Sequence, residues 1–317
     1  MAILVTGGAG FIGSNLLRGL AGRGAELVCL DNFDDFYPPD RKRRNIGPLV
    51  SSGKVKLYEG DIRDTALCLS ILKDHAIDTV YHLAARPGPR PSIQLPQLYQ
   101  DINCGGTVSL LEAAVNAGVG KFIFVSSSSV YAASTPVPFR EDSPADEPFS
   151  PYGATKRACE LFCHAYHHVH GLPVICARLF SVYGPGLRPD LALYKFTGLM
   201  IDGKPIPIFG DGTSGRDYTY ISDIIDGLIA CLDANVGFEI VNLGNSHTVG
   251  LLELVGIIAK ALGVEPTIEH MPPNPADPPV TCADLSKSSR LLGFRPKVSI
   301  EEGIERFIEW FKSEASS

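Results

Sequence analysis

Gly7, Gly10 and Gly13 stand three apart in the run Thr6-Gly7-Gly8-Ala9-Gly10-Phe11-Ile12-Gly13, directly after a short apolar stretch at residues 3–5. Glycines let the backbone come within hydrogen-bond range of a pyrophosphate. A helix opening at Phe11 would add free N–H groups and a partial positive charge. Asp31 closes a second apolar stretch at residues 27–30. A carboxylate there accepts from adenosine ribose hydroxyls and repels a 2′-phosphate. The combination predicts a dinucleotide site, with NAD favoured over NADP. The basic run Arg41-Lys42-Arg43-Arg44 reads as a solvated helix face.

A second group is Tyr152 and Lys156, four apart behind Ser150 and Pro151. On a helix that spacing puts both side chains on one face. A phenol titrates near 10 and is a poor base at neutral pH. A neighbouring ammonium and a cationic nicotinamide ring both favour the phenolate. The third group is Ser126, Ser127, Ser128 and Ser129, which follow the apolar stretch 121–125. Hydroxyls at the carboxyl end of a parallel strand face the ligand crevice, so one of them can hold a substrate oxygen beside Tyr152.

These groups need a frame. Apolar runs at 3–5, 27–30, 55–58, 79–82, 121–125 and 174–177 alternate with helical patterns beginning near Phe11, Asp64, Gln97 and Tyr152. Strands alternating with helices predict an α/β fold with a Rossmann-like, doubly wound parallel sheet. Residues 1–178 form the expected NAD-binding domain, rejoined by 222–245, where a helix and a strand are predicted. Residues 179–221 and 246–317, richer in Pro and Gly, read as a smaller α/β substrate-binding domain with long loops. The Ser-, Ala- and Pro-rich stretch 132–151 is expected to be a loop.

Composition narrows the partners. Twenty-eight basic and 35 acidic residues give a net charge of −7, so no nucleic acid or anionic membrane is expected as partner unless the cations cluster. The N-terminus has no basic lead and no long apolar core, which predicts a cytoplasmic protein. The eight cysteines form no C-x-x-C pair and read as reduced, buried residues. His164, His167, His168 and His170 crowd a predicted helix end, where they suit the helix dipole. No metal is expected.

With these residues in view, the chain resembles the extended short-chain dehydrogenase/reductase family of nucleotide-sugar enzymes over nearly its whole length. TGGAGFIG, Asp31-Asn32, Gly60-Asp61-Ile62, His82-Leu83-Ala84-Ala85, the serine strand end and YGATK occur in family order. So do IFGDG at 208–212 and RDYTYISD at 216–223. The resemblance implies that Phe11 and Ile12 join the glycines at the cofactor. Asp61 and Ile62 would bracket the adenine, Leu83, Ala84 and Ala85 would line the dinucleotide, and Asn103 would support it. It makes Ser127, Tyr152 and Lys156 the catalytic trio, puts Arg216 on the nucleotide diphosphate, and implies a homodimer joined by helices near 97–118 and 152–170.

Relatives that dehydrate or decarboxylate a sugar carry an acidic residue just before the Val-Tyr of the strand-end motif, where this chain has Ser128 and Ser129. Hydride transfer and the tyrosine suffice for a C4 epimerase. DNFDDFY after the second strand, PGPR at 87–90 and FSVYGPGLRPD at 180–190 are similar to the UDP-glucuronate 4-epimerases. They imply UDP-glucuronate as substrate and a 4-keto intermediate. Arg90, Ser128, Ser129, Ser181 and Arg188 are the candidates for the substrate, Val182 for the cofactor, and Asp277 for the nucleotide ribose. Ala132 departs from the family glycine after Val-Tyr, and Ser127 stands where Thr is common. A UDP-glucose/UDP-galactose 4-epimerase or another UDP-sugar-modifying relative stays open. So does a non-catalytic NAD-binding protein, against which the intact Ser127–Tyr152–Lys156 set argues.

Overall fold

The six apolar runs become neighbours in one sheet because each needs cover on both faces. In the computed structural model, which describes residues 1–132, 134–272 and 278–315, they are β1 (Ala2–Thr6), β2 (Glu26–Asp31), β3 (Lys56–Glu59), β4 (Thr79–His82), β5 (Lys121–Ser127) and β6 (Val174–Leu179). Every residue of β1, β4 and β6 is buried, as expected of parallel strands packed between helices. β7 (Ser181–Tyr183), β8 (Ile206–Phe209) and β9 (Gly215–Tyr220) leave this sheet, and β10 (Phe238–Leu243) returns to pair with β6. The order is β3-β2-β1-β4-β5-β6-β10, all parallel. The order reverses between β1 and β4, which opens a crevice at their carboxyl ends.

Alternation along β1 divides the core. Ile3 and Val5 pack on one side with Leu16 and Leu17 of α1 (Phe11–Leu20), while Leu4 packs on the other with Leu110 and Leu111. α2 (Pro39–Ser51) lies against α1, and α3 (Thr65–Asp74) lies on the opposite face. Prolines 89, 91 and 96 break the next stretch into α4 (Pro89–Gln94), α5 (Pro96–Tyr99) and a π turn at Gln100–Gly105 before α6 (Gly106–Ala117). α7 (Pro151–His170) packs on α6.

The C-terminal portion adds α8 (Ala192–Ile201), α9 (Ile221–Asp233), β11 (Thr248–Gly250), α10 (Leu251–Leu262), β12 (Ile268–Met271), α11 (Ser286–Leu292) and α12 (Ile300–Ala315). Strands β11-β9-β7 make one small sheet, and β12 pairs with β8. α9 packs on α1, and Ile206, Leu254 and Phe307 share a buried cluster with Ile3 and Leu16. The two portions are therefore built on a continuous core. No helix among the described residues is long and apolar enough to cross a membrane.

The basic run at 41–44 is not wholly a solvated face. Lys42 is 7% exposed. α2 folds back over the loop after β2, so the Lys42 ammonium donates to the Asp34 carbonyl at 2.6 Å and sits 4.9 Å from the Tyr37 ring centre. Burial holds its pKa below the usual lysine value.

His82 ends β4 wholly inside the protein, hydrogen-bonded to Thr6 Oγ1 at 2.8 Å and Thr107 Oγ1 at 2.9 Å. Burial, with the Lys156 charge nearby, pushes its pKa from 6.5 to about 3. The unfolded chain therefore binds a proton that the native state refuses. Native stability should fall as pH drops from about 6.5 towards about 3, by up to ~1.4 kcal/mol per pH unit from this group. Urea unfolding at pH 7, 6 and 5 checks this. His82→Gln should flatten the pH dependence, and an equal slope in both proteins would assign the loss elsewhere.

Candidate active site

The carboxyl ends of β1, β2, β4 and β5 open into a cavity of about 880 Å³, roofed by the segment after β6 and by α8. At its dinucleotide end the glycines are required sterically. Gly7 has φ +70°, and a Cβ on it would stand 2.7 Å from the Ala84 nitrogen; one on Gly13 would stand 2.3 Å from the Gly7 carbonyl oxygen. The turn is thus pressed between the next helix and the wall after β4, with its backbone open to the cavity.

Asp31 is 7% exposed and fixes this turn. One carboxylate oxygen accepts the Ala9 N–H at 3.0 Å and the other accepts the Phe33 N–H at 2.9 Å. Burial raises its pKa. Asn32 donates to Asp61 at 3.1 Å. The Arg63 guanidinium holds the Asp61 carboxyl down at about 2. Gly10, Phe11, Ile12, Ile62, Leu83, Ala84 and Ala85 line the same cavity. Asn103 does not line it. It is buried behind the wall, accepting the Arg86 N–H at 2.7 Å and donating to the Arg86 carbonyl at 3.2 Å and to Thr155 Oγ1 at 3.0 Å.

The end that holds Tyr152 is set by α7. The Ser150 side chain caps the helix by accepting the Gly153 N–H at 3.2 Å. A Cβ on Gly153 would stand 2.2 Å from the Ser129 carbonyl oxygen. Glycine therefore lets the helix start against the serine turn, with Ser127, Ser128, Ser129 and Tyr152 on one cavity. The Tyr152 N–H donates to Ser92 Oγ at 3.0 Å, and its ring meets Tyr99 edge-on at 6.3 Å. Lys156 is 4% exposed; its ammonium donates to the Val125 carbonyl at 2.7 Å and lies 4.6 Å from the Phe124 ring centre. Ser127 Oγ bonds Ser129 Oγ at 3.2 Å. Ser126 Oγ donates to Glu160 at 2.7 Å.

Glu160 is the anchor of this end. Its carboxylate takes two bonds from Arg178 of β6, both 2.8 Å, and one from Arg157 at 3.1 Å. Arg178 is 1% exposed and lies 4.7 Å from the Tyr131 ring centre.

At the opposite end, Ser181, Val182, Arg188, Arg90 and Arg216 line the cavity. Arg90 lies 4.4 Å from the Phe209 ring centre, and Arg216 donates to the Gly215 carbonyl at 2.8 Å. Arg188 places two donors on the Asp190 carboxylate at 3.0 and 3.1 Å. Asp277 lies outside the described residues. The sequence reading passed over Phe36, Tyr37, Arg86 and Asp190, all of which line the cavity. Arg86 directly follows the Leu83-Ala84-Ala85 wall, which was the available signal. His164 packs edge-on against Phe238 at 4.9 Å, and His167 Nδ1 bonds the Leu172 carbonyl at 2.8 Å. No group of three or more metal-ligating side chains is gathered among the described residues.

Residues 3–244 match the NAD dependent epimerase/dehydratase family. UDP-glucuronate 4-epimerase of Thermodesulfobacterium geofontis is 41% identical over 310 residues, covering 98% of this chain and 95% of that protein. A crystal structure of UDP-glucuronic acid 4-epimerase from Bacillus cereus, in complex with UDP-glucuronic acid and NAD, is similar with a TM-score of 0.94 and 38% identity, over 99% of this chain and 100% of that one. UDP-glucose 4-epimerase from Thermotoga maritima, solved with UDP-glucose, reaches a TM-score of 0.90 at 30% identity over the same shares.

Removing one partner of a buried ion pair strands the other charge, at a cost of about 3–5 kcal/mol. Glu160→Ala is therefore expected to lower unfolding free energy by that order in urea titrations. An unchanged midpoint would mean that the Glu160–Arg178 pair does not hold α7 to the sheet.

Proposed function

The chain belongs to the NAD dependent epimerase/dehydratase family, and we propose that within it the protein inverts C4 of UDP-glucuronate to give UDP-galacturonate. One observation carries this reading. The wall shared with Tyr152 presents hydroxyls at Ser128 and Ser129, with the Arg188 guanidinium in the same cavity. That set supplies one acid/base and a grip for a carboxylate, with no second acid on the strand end.

NAD is the family's cofactor, and the glycine turn, whose backbone a Cβ would crowd, fits a bound pyrophosphate. When bound it accepts hydride from C4 and returns it. Asp31 would accept from the adenosine ribose, with Asp61 and Ile62 beside the adenine. Tyr152 takes the proton of the C4 hydroxyl and later gives it back. The Lys156 ammonium, fixed by Val125 and Phe124, lies one helical turn from Tyr152 on the same face. Ser127 donates to the C4 oxygen and holds it beside Tyr152. The 4-keto sugar then presents its other face, in a cavity at the large end of the usual ligand-site range.

A 4-keto uronate is a β-keto acid and loses CO₂ when its carboxylate bond stands perpendicular to the ketone plane. The site must hold the carboxylate away from that geometry, a task for Ser128, Ser129, Ser181 and Arg188. Arg216 takes the nucleotide diphosphate, and Arg90 lines the same substrate cavity. One observation favours a second reading, a neutral sugar such as UDP-glucose: Arg188 already spends two donors on Asp190, whose charge opposes a uronate.

Substrate comparison separates the two. A charge-assisted hydrogen bond of roughly 1.5–3 kcal/mol corresponds to about 10- to 150-fold. UDP-glucuronate should therefore exceed UDP-glucose in kcat/KM by at least ~10-fold, by anion-exchange analysis of products. Arg188→Ala should remove most of that preference and raise the share of decarboxylated pentose product. Tyr152→Phe should lower kcat by about 10²–10⁴ while keeping UDP-sugar binding. Equal turnover of both sugars by the wild type would select the neutral-sugar reading.

The proposed assembly is a homodimer through α6 and α7, where Leu161 and Val169 of α7 are 55% and 69% exposed. Light scattering should give twice the 34.0 kDa chain mass, and Leu161→Asp should shift it towards the monomer. A monomeric wild type would overturn the assignment.

A further inference from the structure

β2, β1 and β4 are adjacent and parallel, so the loops leaving β2 and β4 flank the glycine turn leaving β1. A dinucleotide in such a sheet crosses these three carboxyl ends with its pyrophosphate on the middle turn. The flanking loops are tied to each other across that interval. Arg86 Nη1, from the loop after β4, donates to both carboxylate oxygens of Asp34, from the loop after β2, at 2.8 Å each. The two side chains are only 16% and 28% exposed, and both line the cavity with Gly7 and Gly10.

Both ends of this tie are built into the frame. Asn103 brackets the Arg86 backbone through its N–H and its carbonyl. Asp34 also accepts the Phe36 N–H at 2.9 Å, and Lys42 donates to its carbonyl. Two guanidiniums lie near the Phe36 ring centre, Arg86 at 5.3 Å and Arg188 at 5.7 Å, which draws in the segment after β7. Two buried polar atoms at the tie have no hydrogen-bond partner, Arg86 Nε and the Tyr37 hydroxyl. Tyr37 is 8% exposed, with its hydroxyl 4.0 Å from where a Gly10 Cβ would stand.

We infer that the Asp34–Arg86 pair is a strap across the dinucleotide groove, which opens to admit or release the cofactor and holds it through both hydride steps. An epimerase that passes through a ketone requires this, because losing the reduced cofactor midway strands the oxidised sugar. The strap rests on NAD occupying the glycine turn and on neither choice of sugar.

The test is stopped-flow release of NADH from the full-length protein, read by its fluorescence when excess NAD is added. Asp34→Asn and Arg86→Gln should each raise the release rate about tenfold or more. The double variant should release no faster than the faster single one, because either change opens the strap. Asp34→Asn decides the matter. It removes a negative charge near an anionic ligand, so an Arg86 that merely attracts phosphate predicts slower release from this variant. A strap predicts faster release and faster binding. Unchanged or slower release from Asp34→Asn overturns the proposal, as does additive acceleration in the double variant. No sugar enters the measurement, so a wrong reading of the UDP-sugar would leave these rates unaffected.

Discussion

The site depends first on the buried ion pair between Glu160 and Arg178. Tyr152, Lys156 and Glu160 follow one another at helical i, i+4 spacing, so α7 lays all three along one line against the sheet. Glu160, held by Arg178 of β6 and by Ser126 of β5, fixes the rotation and the slide of that line. Lys156 then falls on the Val125 carbonyl, and Tyr152 emerges at the serine turn. Burying two charges costs several kcal/mol each before their attraction offsets it. An apolar contact of the same volume would pack as well but would allow the helix to slip. The pair sets direction, which hydrophobic packing does not.

At the other end a carboxylate organises backbone. Asp31 closes the β1 turn and its own loop with two main-chain bonds, and the glycines allow that turn to sit against Ala84 and α1. The glycine-turn side is thus shaped by contacts within the chain. The opposite side of the cavity is assembled differently, from Arg90 after β4, Ser181 and Arg188 around β7, and Arg216 on β9. One end is a turn held by main-chain bonds, the other a convergence of loops from distant parts of the chain.

That difference explains what the sequence disclosed. Local patterns predict local geometry, so the glycine run, Asp31 at a strand end and the Tyr152–Lys156 helix face were legible, as was the strand–helix alternation behind the parallel sheet. The return of β10 to the sheet followed from a short apolar run. Pairings between distant segments were not legible. Nothing in the spacing of Asp34 and Arg86, or of Glu160 and Arg178, marks them as partners, because only the fold sets them side by side. Lys42 misled for the same reason: a basic run reads as solvated until the loop it covers is known. Asn103 sits one layer behind the cavity wall, a depth that linear position does not encode.

Net charge behaves the same way. The chain carries 28 basic against 35 acidic residues, a balance that opposes anionic partners. The cavity inverts it. Lys42, Arg86, Arg90, Lys156, Arg188, Lys195 and Arg216 line it against Asp31, Asp34, Asp61 and Asp190, seven basic to four acidic among the described residues. Low-dielectric walls focus such a local excess on whatever enters. The acidic exterior repels large polyanions, while a small anionic ligand that fits inside meets mostly cations. Two of those arginines are paired with aspartates at the cavity wall, Arg86 with Asp34 and Arg188 with Asp190. These pairs orient the cations and moderate their charge. Each anionic group that binds beside one of them must compete with an aspartate already in place. Selectivity at such a site lies in the geometry with which a ligand group can share or displace the internal partner, because net attraction is available to any anion of the right size.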